Sequence, residues 1–106
     1  MDTKLQKRLD DLINQNQVML FIKGTPEAPE CGFSAKAMEI LINSDIYFEY
    51  FNIYSDEEVR QGLKEYKNWS TYPQLYINSE LIGWIDIMTE MYEDGEFKGI
   101  KEKLIK

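Results

Sequence analysis

The sequence predicts an α/β fold in which helices cover both faces of a four-stranded mixed β-sheet. The apolar run Val-Met-Leu-Phe-Ile at residues 18–22 is typical of a strand that is buried on both faces. A helical pattern and then a run rich in aromatic and β-branched residues follow it, which predicts a β-α-β unit with parallel strands. Two short apolar runs around Asn78 and Ser79 predict an antiparallel hairpin.

Apolar spacing and capping residues place the remaining elements. Leu5, Leu9 and Leu12 recur at helical spacing and predict a first helix over residues 3–15. Strands are expected at residues 18–22, 47–53, 74–77 and 80–82. A second helix is expected just after Cys31, and a capping box at 55–58 predicts a third that runs to about residue 67. Asp86 is expected to cap a fourth helix that Gly95 ends, and residues 97–106 to form the last one.

This α-β-α-β-α-β-β-α-α order is the arrangement of the thioredoxin fold, with helices on both sheet faces. In that arrangement the loop after the first core strand carries Cys31. Pro73 lies at the start of the third strand and is a candidate cis-proline. An ordinary trans-proline that opens a strand is the alternative.

Composition and charge narrow the classes of function. The 106 residues are 43% apolar, which suits one domain with a modest core, and no apolar run approaches the ~20 residues of a membrane span. A net charge of −7 argues against nucleic acid or an anionic membrane as the main partner. The absence of histidine removes His-based triads and most zinc sites.

Cys31 is the only cysteine and the main candidate for chemistry. A thiol at a helix N-terminus lies near free backbone N–H groups and the positive end of the helix dipole, which both favour the thiolate. Lys23, at the far end of the same loop, brings a cation toward the sulfur. We therefore predict a pKa below the free value of about 8.5. The alternative is a small buried apolar residue, which a lone cysteine often is.

Four motifs in order resemble the monothiol glutaredoxins of the CGFS type. They are Lys-Gly-Thr-Pro at 23–26 with Cys-Gly-Phe-Ser at 31–34, Asp-Glu-Glu-Val-Arg-Gln-Gly-Leu-Lys at 56–64, Asn-Trp-Ser-Thr-Tyr-Pro-Gln-Leu-Tyr at 68–76 and Gly-Trp-Ile-Asp at 83–86. The resemblance covers about residues 5–95 and is especially close to the glutaredoxin domains of the multidomain, PICOT-like members. We expect residues 1–106 to form a single glutaredoxin domain, which is either a whole protein or a domain of a longer one.

The resemblance implies glutathione binding and a [2Fe–2S] cluster that bridges a homodimer. Such a centre normally takes four thiolate ligands, and this chain offers only Cys31 as a metal ligand. Two chains and two glutathiones would supply the four. We expect a monomer when apo and a homodimer when cluster-loaded, whose exposed and labile cluster passes to iron–sulfur client proteins.

The family's glutathione contacts are carried over residue by residue. Besides Cys31, the implied cofactor-binding residues are Lys23, Gly32, Phe33, Arg60, Tyr72, Pro73, Ile85 and Asp86. Lys23 and Arg60 are implied to hold the glycine carboxylate, and the backbone of Tyr72 to pair with the cysteinyl part. Ile85 and Asp86 are implied to hold the γ-glutamyl end. Without the resemblance, Arg60 is a solvated helix charge and Asp86 an N-cap.

Three positions depart from the family pattern. Ser70 stands where proline is usual, which should loosen that loop, and Ser79 replaces a common turn glycine. Trp84 stands where a second glycine lets the backbone approach glutathione. The indole of Trp84 could crowd the γ-glutamyl pocket, cover the ligand and the cluster, or point outward.

Three classes of function remain open from the sequence. We favour a cluster carrier in iron–sulfur transfer, storage, and redox or iron homeostasis. The second is a glutathione-dependent thiol–disulfide oxidoreductase that acts through Cys31 alone and needs external glutathione to turn over. The resemblance implies that this activity is at most weak, since the CGFS family is generally poor at it. The third is a thioredoxin-fold interaction module. One cysteine and no visible targeting segment lead us to expect a reducing compartment, the cytoplasm, with the nucleus as a second location.

Overall fold

The computed structural model describes residues 2–68 and 71–104, which form helices on both faces of one main sheet. In this part of the chain the helices are α1 (Thr3–Asn14), α2 (Gly32–Asn43), α3 (Glu57–Tyr66), α4 (Ile85–Glu93) and α5 (Glu96–Lys103). The strands are β1 (Val18–Ile22), β2 (Gly24–Thr25), β3 (Ala28–Pro29), β4 (Glu49–Asn52), β5 (Gln74–Ile77) and β6 (Glu80–Gly83). Strands β2 and β3 pair only with each other, in the loop between β1 and α2.

The main sheet has the strand order β4-β1-β5-β6. Strand β1 runs parallel to β4, with Leu20 opposite Tyr50, and antiparallel to β5, with Leu20 opposite Leu75. Strands β5 and β6 form the antiparallel hairpin. The predicted four-stranded mixed sheet and thioredoxin topology are therefore confirmed.

The central strand β1 separates two apolar clusters, one on each face of the sheet. Val18, Leu20 and Ile22 pack with α2, α4 and α5, whereas Met19 and Phe21 pack with α1 and α3. All five of these residues are at most 2% exposed, which confirms the two-sided burial predicted from the continuous apolar run. This double packing fixes the end of β1, from which the loop to Cys31 departs.

Four sequence-based boundaries are wrong in detail, two of them at the second strand and the helix that follows it. The second predicted strand covers only Glu49–Asn52, because the chain then turns into a 3₁₀ helix at Ile53–Ser55. The N-cap of α3 is Asp56 and not Ser55: the Asp56 carboxylate accepts the Val59 N–H at 3.2 Å, while the Ser55 hydroxyl donates to the Asn52 carbonyl.

At α4 the predicted cap is also wrong by two residues. Trp84 is the N-cap, and Asp86 lies inside the first helical turn, where its negative charge still suits the helix dipole. The expected end of this helix at Gly95 is confirmed, since Gly95 has φ +77° directly after the C-cap. The last helix begins at Glu96, one residue earlier than predicted.

The turn residues explain two further features. Asn78 and Ser79 both have positive φ, +49° and +72°, as a two-residue hairpin turn of this hand requires, so Ser79 occupies a conformation that favours glycine. The Tyr72–Pro73 peptide bond is cis, which confirms Pro73 as the candidate cis-proline. The altered position Ser70 lies outside the described residues. Within the described ranges no helix is long and apolar enough to span a bilayer.

Candidate functional site

The loop that carries Cys31 is held by hydrogen bonds to its two neighbouring elements. The N–H of Lys23 donates to the buried hydroxyl of Ser34 in α2 at 3.1 Å. The N–H of Gly24 donates to the side chain of Asn52, at the end of β4, at 3.0 Å. Across the loop, the N–H of Glu30 donates to the Lys23 carbonyl at 2.9 Å. These contacts fix the loop between β1 and α2.

Gly24 is required by the shape of this loop. Its φ is +97°, and a Cβ at this position would lie 2.7 Å from both the Ala28 carbonyl oxygen and the Glu30 nitrogen. Both atoms belong to the backbone, so they cannot move aside without opening the β2–β3 hairpin. Glycine therefore allows the tight path that leads to Cys31.

Cys31 is the N-cap of α2, as predicted, and its side chain is partly exposed. Desolvation by burial opposes ionisation of the thiol. The backbone N–H groups of Ser34 and Phe33, the positive charge of Lys23 and the Ser34 hydroxyl outweigh it, so the pKa of Cys31 lies below its ordinary value. The expectation of an activated thiol is confirmed in direction, and a fully buried apolar cysteine is excluded.

A groove of about 190 Å³ adjoins the segment that carries Cys31, since Lys23 and Phe33 line it although Cys31 does not. It is lined by Lys23, Phe33, Arg60, Lys64, Thr71, Tyr72 and Trp84. The structure thus brings together four of the predicted site residues from three separate motifs. Lys23, Arg60 and Lys64 add three cations to a protein of net charge −7, so the groove is suited to an anionic ligand.

Arg60 is held in the groove wall by two weak contacts. Its guanidinium carbon lies 5.3 Å from the centroid of the Tyr54 ring, and its Nη1 lies 3.6 Å from Glu57 Oε2. Its Nε is buried and has no hydrogen-bond partner in the described part of the chain. An unpaired buried donor is costly, and the charged guanidinium of Arg60 in the groove wall suits a carboxylate ligand.

The other predicted site residues lie around the groove without lining it. Gly32 opens α2 and is exposed, and Pro73 is buried behind Tyr72 at the start of β5. The Ile85 side chain is 3% exposed and belongs to the core, so only its backbone is available to a ligand. Asp86 is exposed in the first turn of α4.

The N-terminus of α4 offers a second place for an anion. Trp84 is its N-cap and makes no side-chain capping hydrogen bond, so the first-turn N–H groups have no side-chain partner. Trp84 lines the groove, and its ring meets the ring of Phe33 edge to face.

Lys64, Thr71 and Asn52 belong to the site but had no role in the sequence interpretation. Lys64 follows Arg60 by four residues on α3, so helical spacing alone places both cations on one face. Thr71 precedes Tyr72 and shares its turn. No sequence pattern indicated Asn52, because its role depends on a contact between residues 28 positions apart.

Three larger grooves, of about 590, 520 and 390 Å³, are also present, and the 390 Å³ groove is lined in part by Gly32, the residue after Cys31. The two largest are lined by Lys101, and the largest also by the ends of α2 and α4. Cys31 itself lines none of these three grooves and does not line the 190 Å³ groove. Among residues 2–68 and 71–104, no cluster of three or more His, Cys, Asp or Glu side chains is placed to hold a metal ion.

The fold and this thiol site agree with the comparisons to known proteins. The family model "Glutaredoxin" matches residues 18–82. The chain is 55% identical over 96 residues to monothiol glutaredoxin-S17 of Arabidopsis thaliana, covering 91% of this chain and 20% of that protein. It is 45% identical to a ycf64-like monothiol glutaredoxin of Synechocystis, covering 96% of this chain and 95% of that protein.

A solved structure gives the same result. The solution structure of reduced poplar apo GrxS14 matches with a TM-score of 0.78 and 45% identity, covering 93% of this chain and 91% of that one. The chain belongs to the monothiol glutaredoxins, as the sequence motifs implied. It spans about a fifth of the plant relative from Arabidopsis but nearly the whole of the cyanobacterial one.

Proposed function

We propose that this chain binds glutathione beside Cys31 and, as a homodimer, carries a glutathione-ligated [2Fe–2S] cluster that it passes to client proteins. The observation that carries the proposal is a single cysteine of lowered pKa in a segment that also lines a cationic groove. The groove offers charge for a small anion, and the chain offers one sulfur. A four-thiolate cluster then requires a second chain and two small thiols.

Glutathione matches the groove by its chemistry. Its glycine carboxylate suits the ammonium of Lys23 and the guanidinium of Arg60. The backbone of Tyr72, with Pro73 behind it, is our candidate partner for the cysteinyl amide. Its γ-glutamyl carboxylate suits the uncapped first turn of α4 at Ile85 and Asp86.

The residues of one chain fit the cluster only in part, which favours a shared site. Cys31 is the metal ligand that the chain supplies, and Gly32 and Phe33 shape its surroundings at the start of α2. A bound cluster would itself be the cargo that is transferred to client proteins. The protein's task is to keep the Cys31 sulfur ionised and the glutathione sulfur close to it.

Reconstitution tests this proposal. Anaerobic protein is incubated with iron, sulfide and either glutathione or a non-thiol reductant, and the visible absorbance is recorded. We expect a stable brown species only with glutathione, and none from Cys31→Ser under either condition. Absorbance of equal intensity without glutathione would contradict glutathione ligation.

The lowered thiol pKa also favours a second candidate, thiol–disulfide exchange with glutathionylated proteins. The Cys31 thiolate would attack the glutathione sulfur, release the client thiolate and form a Cys31–glutathione disulfide. A second glutathione thiolate would then free Cys31 and leave oxidised glutathione. Turnover of a glutathionylated peptide measures this activity, and we expect it to be slow, as the resemblance to the CGFS type implies.

A further inference from the structure

We propose that Trp84 is a specificity-determining residue that covers the γ-glutamyl end of bound glutathione. The inference rests on the proposed glutathione site and assigns the indole a role within it. Trp84 lines the same groove as Lys23, Arg60 and Tyr72. It is also the N-cap of α4, directly before the helix turn that offers N–H groups to a carboxylate.

The indole is held over the groove by an aromatic contact. The rings of Trp84 and Phe33 meet edge to face, with centroids 6.1 Å apart and planes at 81°. Phe33 lies in the first turn of α2, two residues after Cys31, and is 55% exposed. The pair therefore joins the N-termini of the two helices that flank the thiol.

The groove has two chemically different ends. Lys23, Arg60 and Lys64 supply positive charge, and they are sufficient to attract any small thiol that carries a carboxylate. The Trp84–Phe33 pair supplies an apolar wall. A ligand that reaches from the cations to α4 must lay its methylene groups against this wall, and the γ-glutamyl chain of glutathione has two of them.

This arrangement predicts selectivity for glutathione over shorter thiols. Cysteinylglycine has the same thiol and the same glycine carboxylate but lacks the γ-glutamyl group. It can use the cations but cannot reach the indole. Trp84 should therefore contribute to the binding of glutathione and not to that of cysteinylglycine.

Calorimetric titration of the reduced apo protein with both thiols tests the proposal. In Trp84→Ala we expect glutathione to bind about fivefold more weakly, a loss of about 1 kcal/mol, while cysteinylglycine binding stays unchanged. Trp84→Phe keeps an aromatic wall and most of the packing, and should lose about twofold. Tyr92→Ala removes an exposed aromatic ring from the same helix and should change neither affinity.

Phe33→Ala gives an independent check. If Phe33 acts by holding the indole, the Phe33→Ala and Trp84→Ala losses should not add in the double variant. An unchanged or tighter affinity for glutathione in Trp84→Ala, or an equal loss for both thiols, overturns the role of Trp84 and leaves the proposed function standing. Failure of the unaltered protein to bind glutathione overturns both.

Discussion

The character of Cys31 is decided by competition between burial and local dipoles. Burial disfavours the thiolate, while the N–H groups of Ser34 and Phe33 and the charge of Lys23 favour it. The favourable interactions outweigh burial, so the pKa of Cys31 is lowered. The sequence was sufficient to predict this outcome, because a strand, a loop and a helix place a cysteine in a characteristic setting. The hydrogen bond from the Lys23 N–H to Ser34 Oγ was not predictable, since it depends on how the loop folds.

The pH dependence of alkylation tests the state of the thiol. A lowered pKa means that the thiolate is already present at pH values where an ordinary cysteine is protonated. The alkylation rate of Cys31 should therefore reach half its maximum below the free value of about 8.5. Lys23→Gln should move the midpoint upward, and Lys98→Gln, remote on α5, should not. A midpoint at or above the free value would contradict the activation.

The cations of the groove make a second prediction at this scale. Arg60→Gln removes the charge and most donors from the wall, so glutathione should bind about tenfold more weakly, as expected for the loss of a charged hydrogen bond. Lys98→Gln is the matched control for the change in net charge. Isothermal titration of the apo protein measures both. Equal affinities for the Arg60→Gln and control variants would exclude Arg60 from the site.

At the scale of elements, the sequence predicted the long periodic segments and missed the short ones. A continuous apolar run predicted β1 and a periodic one predicted α1, because both elements bury those side chains. Their predicted boundaries agree with the observed ones to within one residue. The β2–β3 hairpin was missed because it is held by the path of the loop and not by apolar side chains. The cap of α3 was misplaced because Ser55 and Asp56 are both good N-cap residues. In the structure Ser55 belongs to the 3₁₀ helix, and its hydroxyl donates to the Asn52 carbonyl.

The loop before Cys31 should not tolerate a side chain at Gly24. Gly24→Ala forces a left-handed residue against two backbone atoms at 2.7 Å, which should lower the free energy of unfolding by about 1–3 kcal/mol. Gly99→Ala is the matched control: it lies in α5 with no atom within 4 Å of the new Cβ, so it should stabilise by about 0.5–1 kcal/mol. Urea unfolding measures both, and equal effects would contradict the strained loop.

The cap of α3 predicts a pH-dependent stability. Arg8, on α1, donates to the Asp56 carboxylate and, despite partial burial, holds its pKa below the ordinary 3.8. A depressed pKa contributes stability above the unfolded value that is lost as the pH falls through the folded one. Asp56→Ala should cost about 1 kcal/mol at pH 7.

Asp56→Asn separates the cap from the charge. It keeps an accepting oxygen for the Val59 N–H, so it should retain more stability at pH 7 than Asp56→Ala. It should also lose the part of the acid dependence that comes from the Arg8 pair. Urea unfolding at pH 7 and near pH 3 measures both effects. If the unaltered protein and Asp56→Asn differ in free energy of unfolding by the same amount at both pH values, the ion-pair contribution is contradicted.

At the scale of the whole molecule, the fold gathers residues of four separate sequence motifs around one groove. The groove is formed by the end of β1, the N-terminus of α2, one face of α3, the turn before β5 and the start of α4. The topology was predictable from element order and handedness, whereas the placement of Trp84 was not, since a backbone pattern does not determine where an indole rests. The acidic net charge of −7 makes the cationic groove a local exception.

The intact mass of the reconstituted complex, measured under native conditions, tests the central claim most directly. The account predicts a dimer with one [2Fe–2S] cluster and two glutathiones, a monomer without the cluster, and no cluster in a folded Cys31→Ser variant. Because Cys31 is partly exposed at the start of a helix, this substitution should leave the fold intact. A cluster-loaded monomer, a dimer without glutathione, or a cluster retained in Cys31→Ser would contradict the shared site.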